Sequence, residues 1–150
     1  MYISPERAAQ VLAEHPEWDQ DTTLYRFFEA NIAGTLLAYY HERLVWFRDE
    51  YSDQLPDVDV RTLPIMHMVD QNRLHWYKCQ TNYLIGVTTH LRATIDYGLV
   101  DDPDMIAAIH EFITSDLNFK VGDPENVDRL ARVNSILATV IAYLEEKLPS

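Results

Sequence analysis

The stretch "HMVDQNRLHWYKCQTNYLIGVTTHL", residues 67–91, decides the fold. Its apolar side chains do not alternate as they would on a strand. At about 100° of rotation per residue, Val69, Trp76, Tyr83, Leu84, Val87 and Leu91 gather on one side of a helix. His67, Gln71, His75, Lys78, Asn82 and Thr89 fall on the other side, with Asp96 further along, which reads as the solvated face. A helix is therefore expected over about 64–97, with Thr62 or Leu63 preceding Pro64 at its start.

The same grammar extends along the chain. Ser4-Pro5-Glu6, Asp102-Pro103-Asp104 and Asp123-Pro124-Glu125 each offer a capping oxygen, a first-turn proline that costs no amide donor, and an acid that complements the helix dipole. Another start lies near Asp21, Thr22 and Thr23. Helices are expected over about 5–14, 22–53, 64–97, 103–118 and 124–147, and no segment alternates as a strand would. The expected architecture is all-α: one domain over residues 1–150, a bundle of about five helices with two of them long. Of four glycines, Gly98 and Gly122 fall at connections, while Gly34 and Gly86 fall inside the two long helices. A glycine there costs about 0.5–1 kcal/mol relative to alanine, so each must mark either a close helix approach or a break.

In the last helix Val127, Leu130, Asn134, Leu137, Ile141, Leu144 and Leu148 follow spacings of three and four. Asn134 takes a core-type position, a device that fixes register or oligomer state in coiled coils. The flanking Ala131, Val133, Ala138 and Val140 make the stripe wide enough for a bundle, with homodimerisation through this helix as the alternative.

Some polar residues project where leucines belong. Arg73 and Gln80 fall within the apolar arc of one long helix, and Arg43 and Glu50 within that of the other (Leu24, Phe28, Ile32, Leu36, Tyr39, Trp46), with Glu29 at its margin. A buried charge is costly unless paired, so Glu29 or Glu50 is expected to accept from Arg43 or Arg73, with Gln80 bridging. Alternatively the stripe is a recognition surface, with Tyr39, Tyr40, Trp46, Phe47, Trp76 and Tyr77 as aromatic anchors.

His75 and the single cysteine, Cys79, stand one helical turn apart. Two donors are short of the four ligands of a structural zinc site and the three of a catalytic one, and no HExxH, CxxC or HxxxH pattern supplies the rest. No metal and no cofactor is expected. The alternative is a metal site that recruits His41, His90 or His110 to His75 and Cys79, as part of a ligand-binding bundle or an enzyme. No glycine-rich phosphate cradle, GxSxG elbow or catalytic cysteine context is present.

The chain carries 24 acidic and 12 basic side chains, a formal charge of -12. That field repels phosphates and anionic lipid heads, which disfavours direct nucleic-acid or membrane binding, and it attracts basic surfaces. The start "MYISPERAAQ" has neither the basic opening nor the apolar run of a secretory signal, and the most apolar stretch is interrupted by His41, Glu42 and Arg43. A cytoplasmic protein with an unpaired thiol is expected. The function expected from these features is a non-enzymatic acidic protein-binding module, such as an inhibitor, an immunity-type protein or an adaptor, docking on a basic partner surface. A DNA-mimic inhibitor, whose carboxylates imitate phosphates, is a further alternative.

Overall fold

Ser4 accepts a hydrogen bond from the Arg7 amide through its Oγ at 3.2 Å, and the first helix begins at the proline that follows. In the computed structural model, which describes residues 2–54, 71–115, 123 and 125–149, two other expected starts are built alike. Thr22 Oγ1 accepts from the Tyr25 amide at 3.2 Å, and Asp102 Oδ1 accepts from the amides of Asp104 and Met105 at 2.9 and 3.1 Å. Each such cap contributes about 1 kcal/mol. The start expected at Pro64 lies outside the described residues. Asp123 accepts from the Glu125 amide at 3.0 Å, and its helix opens at Asn126.

The described residues form six helices and no strand: α1 (Pro5–Glu14), α2 (Thr23–Ala33), α3 (Leu36–Trp46), α4 (Gln71–Asp96), α5 (Pro103–Ser115) and α6 (Asn126–Lys147). An all-α bundle is what the periodicity called for. No helix among the described residues is long and apolar enough to cross a membrane.

The helix expected over 22–53 is not continuous. Gly34 adopts the left-handed region at φ 74° and closes α2, its amide bonding back to Ala30 and Asn31. That conformation strongly favours glycine, so the residue marks a break. The reset of phase explains why Leu24 and Ile32 are 51% and 44% exposed while Phe28, Ala30 and Asn31 are the buried positions of α2. At its far end α3 widens into a π turn, Phe47–Tyr51, then a short 3-10 turn, Ser52–Gln54.

Gly86 resolves the other way. A Cβ built there would lie 2.8 Å from Cε1 and Cζ of Phe47, so the bare backbone admits the ring between α3 and α4. Phe47 is buried among Trp46, Tyr51, Tyr83 and His90, with ring centroids 5.0–6.0 Å away.

Ring contacts of Tyr40 with Tyr97 and of Phe47 with Tyr83 run α3 antiparallel to α4. Tyr83 Oη donates to Asn134 Oδ1 at 2.6 Å, and Asp101, just past α4, meets Tyr143 and Lys147 of α6. Helices α4 and α6 therefore run parallel, and α5 returns antiparallel beside them. Both α3 and α5 pack on this central pair, taking its opposite grooves. Leu44, Phe47, Leu84, Val87, Leu91, Ile109, Phe112, Val133, Leu137, Ile141 and Leu144 fill the shared interior. A second aromatic cluster of Phe27, Tyr39, Tyr40 and Tyr97 joins α2 and α3 to the end of α4.

In α6 the buried line is Asn126, Val133, Leu137, Val140, Ile141 and Leu144. Asn134 is exposed, not a core residue: the wide stripe is centred nearer Val133 and Val140, and Asn134 sits at its edge as the acceptor for Tyr83.

Candidate functional site

Three of the five polar residues singled out in the sequence, Glu29, Arg43 and Glu50, line one furrow along the outer side of α2 and α3. It consists of two clefts, of about 220 and 380 Å³, that share Arg26 and Glu42. The Gly34 turn brings α2 back alongside α3, so that Arg26 Nη2 reaches both carboxylate oxygens of Glu42, at 2.7 and 2.8 Å. Glu29, Ala38 and Tyr39 line the smaller cleft. The larger cleft holds Arg43, Trp46, Asp49 and Glu50.

Among the described residues Arg43 does not meet a carboxylate. Its guanidinium carbon lies 4.5 Å from the Trp46 ring centroid and 5.6 Å from that of Phe47, positions i+3 and i+4 of the same turn. Cation–π contact thus takes the place of the expected ion pair. Its Nε is buried without a hydrogen-bond partner among the described residues, and Glu29 and Glu50 stand exposed, unpaired with it. The reason is again the broken helix: with the phase reset at Gly34 and the winding widened after Trp46, both acids turn to solvent. Gln80 is buried on α4, with Oε1 lacking a partner among the described residues; the Arg73 side chain lies outside them.

The furrow holds four acids, Glu29, Glu42, Asp49 and Glu50, against Arg26 and Arg43, and part of that charge is compensated. Arg48 holds Asp49 through two hydrogen bonds, at 2.8 and 3.1 Å, and this lowers the aspartate's pKa below the usual carboxylate range. Glu42 raises the pKa of Arg26 through their hydrogen bond. Glu29 and Glu50 have no ion pair among the described residues, which leaves two lip carboxylates available to an incoming cation. Tyr39 is buried at the floor, and desolvation raises its phenol pKa.

His75 Nε2 lies 3.5 Å from Cys79 Sγ; the imidazole is exposed and the thiol half-buried. Lys78, Asn82, Thr89 and Asp96 are exposed along the same helix, as the solvated face requires; His67, and the side chain of Gln71, lie outside the described residues. Burial raises the phenol pKa of Tyr51 in the π turn, and the nearby Cys79 adds to the rise. The other histidines are dispersed. His41 pairs with Glu145 at 3.1 Å, His90 is bonded through Nδ1 to the Gly86 carbonyl at 2.7 Å, and His110 is exposed on α5. No group of three or more His, Cys, Asp or Glu side chains suited to a metal ion occurs among the described residues.

Sequence reasoning missed the Arg26–Glu42 clasp, sixteen residues apart, because it depends on the α2–α3 reversal at Gly34. The glycine was the available signal. Comparison with known protein families, characterised proteins and solved structures finds no match to this chain.

Proposed function

We propose that the chain is a non-enzymatic protein-binding module, of inhibitor, immunity or adaptor type, that presents its α2–α3 furrow to a basic surface of a protein partner. The observation that carries this reading is the pair of exposed carboxylates, Glu29 in the smaller cleft and Glu50 with Trp46 in the larger, in a chain of net charge -12. Long-range attraction steers a basic partner toward such a surface, and an aromatic in a cleft supplies the desolvated anchor that charge alone does not. A cytoplasmic setting belongs to the same reading.

The test is affinity capture from the native host with the full chain, run beside the charge-reversed variant Glu29→Lys/Glu50→Lys. The expected result is a stoichiometric partner that is held by the native chain, released by raised salt and absent from the variant. Equal retention by both chains overturns the assignment of the furrow. Displacement by duplex DNA, rather than by salt alone, would replace this reading with phosphate mimicry.

A further inference from the structure

On the far flank of the central pair, α5 and α6 enclose a second groove, and we infer that it seats an amphipathic helix of another protein that carries two basic residues seven positions apart. This goes beyond the α2–α3 furrow: α3 and α5 occupy opposite sides of the α4–α6 pair, so one chain could engage two partners at once.

The groove consists of two spaces of about 560 and 370 Å³ that share Ala108, Ser135 and Ile136 and therefore run into each other. Its floor is apolar, with Met105, Phe112 and Ile136; its walls are kept low by Ala108, Ser135 and Thr139, and Arg132 of α6 lines the same space as Glu111. A trough between two antiparallel helices with small residues on its walls matches the ridge of a third helix, whose i, i+3, i+4, i+7 side chains fill it.

Charge sets the chemistry of the occupant. Asp104 and Glu111 stand exposed on the α5 lip, seven residues apart, which is two turns of the helix and a rise of about 10.5 Å. A helix laid alongside has the same rise, so lysine or arginine at i and i+7 meets both acids in a single register. A second copy of this chain cannot supply the pattern, because no two of its 12 basic residues are seven apart. The occupant is accordingly a different protein.

Two synthetic 18-residue helical peptides test this, identical in an alanine–leucine seam and carrying either lysines or glutamates at one i, i+7 pair. Each is titrated into the isotope-labelled full chain and followed by amide chemical shifts. The lysine peptide is expected to perturb residues 104–111 and 132–139 and to leave 26–50 unchanged. Asp104→Lys/Glu111→Lys should weaken the lysine peptide by roughly tenfold, the size of two exposed ion pairs exchanged for repulsions, and should favour the glutamate peptide. Ala108→Trp, which fills the groove without changing charge, should abolish both. Absence of binding, shifts confined to the α2–α3 furrow, or equal affinity for native and charge-reversed chains would overturn the inference. The first and last of these outcomes leave the reading of the α2–α3 furrow intact.

Discussion

Replacing Gly86 by alanine sets two effects of opposite sign against each other. Alanine gains about 0.5–1 kcal/mol over glycine inside a helix by restricting the unfolded chain. Against this, the new methyl would sit 2.8 Å from two carbons of the Phe47 ring, where carbon contacts settle at about 3.5–4.0 Å. The ring has nowhere to retreat: it is 4% exposed and packed by Trp46, Tyr51, Tyr83 and His90. Overpacking of this kind costs about 1–3 kcal/mol, so Gly86→Ala should destabilise by about 1 kcal/mol net. The sign should reverse once the ring is removed. In a Phe47→Leu background the same substitution should stabilise by several tenths of a kcal/mol, giving a coupling on the order of 1 kcal/mol or more between the two sites. Urea denaturation of the four proteins, with a common slope, measures this directly. If Gly86→Ala stabilises the chain that retains Phe47, or if its effect is the same in both backgrounds, the close approach of α3 and α4 is misassigned.

Gly34→Ala should cost about 1–2 kcal/mol with no rescue by any neighbour, because φ is 74° and nothing lies within 4 Å of the added methyl; chemical denaturation reads it, and a loss that disappears on shrinking a contact residue would refute pure backbone strain. His90 gives a pH signature. Burial holds its pKa below the ordinary 6.5, the Gly86 hydrogen bond opposes this, and nearby Arg43 adds to the depression. The unfolded chain therefore binds the proton more readily, so the contribution of His90 to stability is present above about pH 6.5 and is lost as pH falls through that value toward the folded pKa. Denaturation midpoints between pH 8 and 5 should show this slope, reduced in His90→Phe; an unchanged slope in that variant would remove His90 as its source.

The starts of the helices were readable because a cap is a local contract among three or four residues: Ser4, Thr22 and Asp102 do what their neighbours demand. The two interior glycines show where such reading stops. Both carried the same propensity penalty, and only the partner surface distinguishes them, open space at Gly34 and the Phe47 ring at Gly86. The break at Gly34 sets α2 and α3 in different phases, so one stripe drawn through both placed Leu24 and Ile32 in the core, where they are exposed. Glu29, Arg43 and Glu50 were picked out as misplaced in an interior and instead line an outer furrow. Asn134 was one position from the centre of its stripe, an offset that a 22-residue helix can hide when Val133 and Val140 are equally apolar. The π turn after Trp46 had no signature, since its five residues include neither glycine nor proline to mark a change of winding.

That turn has a bearing on how this chain tolerates changes of length. Five residues, Phe47–Tyr51, are wound with an i to i+5 pattern, so one residue beyond regular winding is absorbed inside a continuous rod, without a loop. Deleting a single residue there would restore ordinary pitch, remove the surplus residue and keep the side chains that follow on the faces they now occupy, with Tyr51 still against Phe47 and Tyr83. A gain or loss of one residue at this point would therefore leave the aromatic contacts in place, and chains differing in length by one would present the same faces.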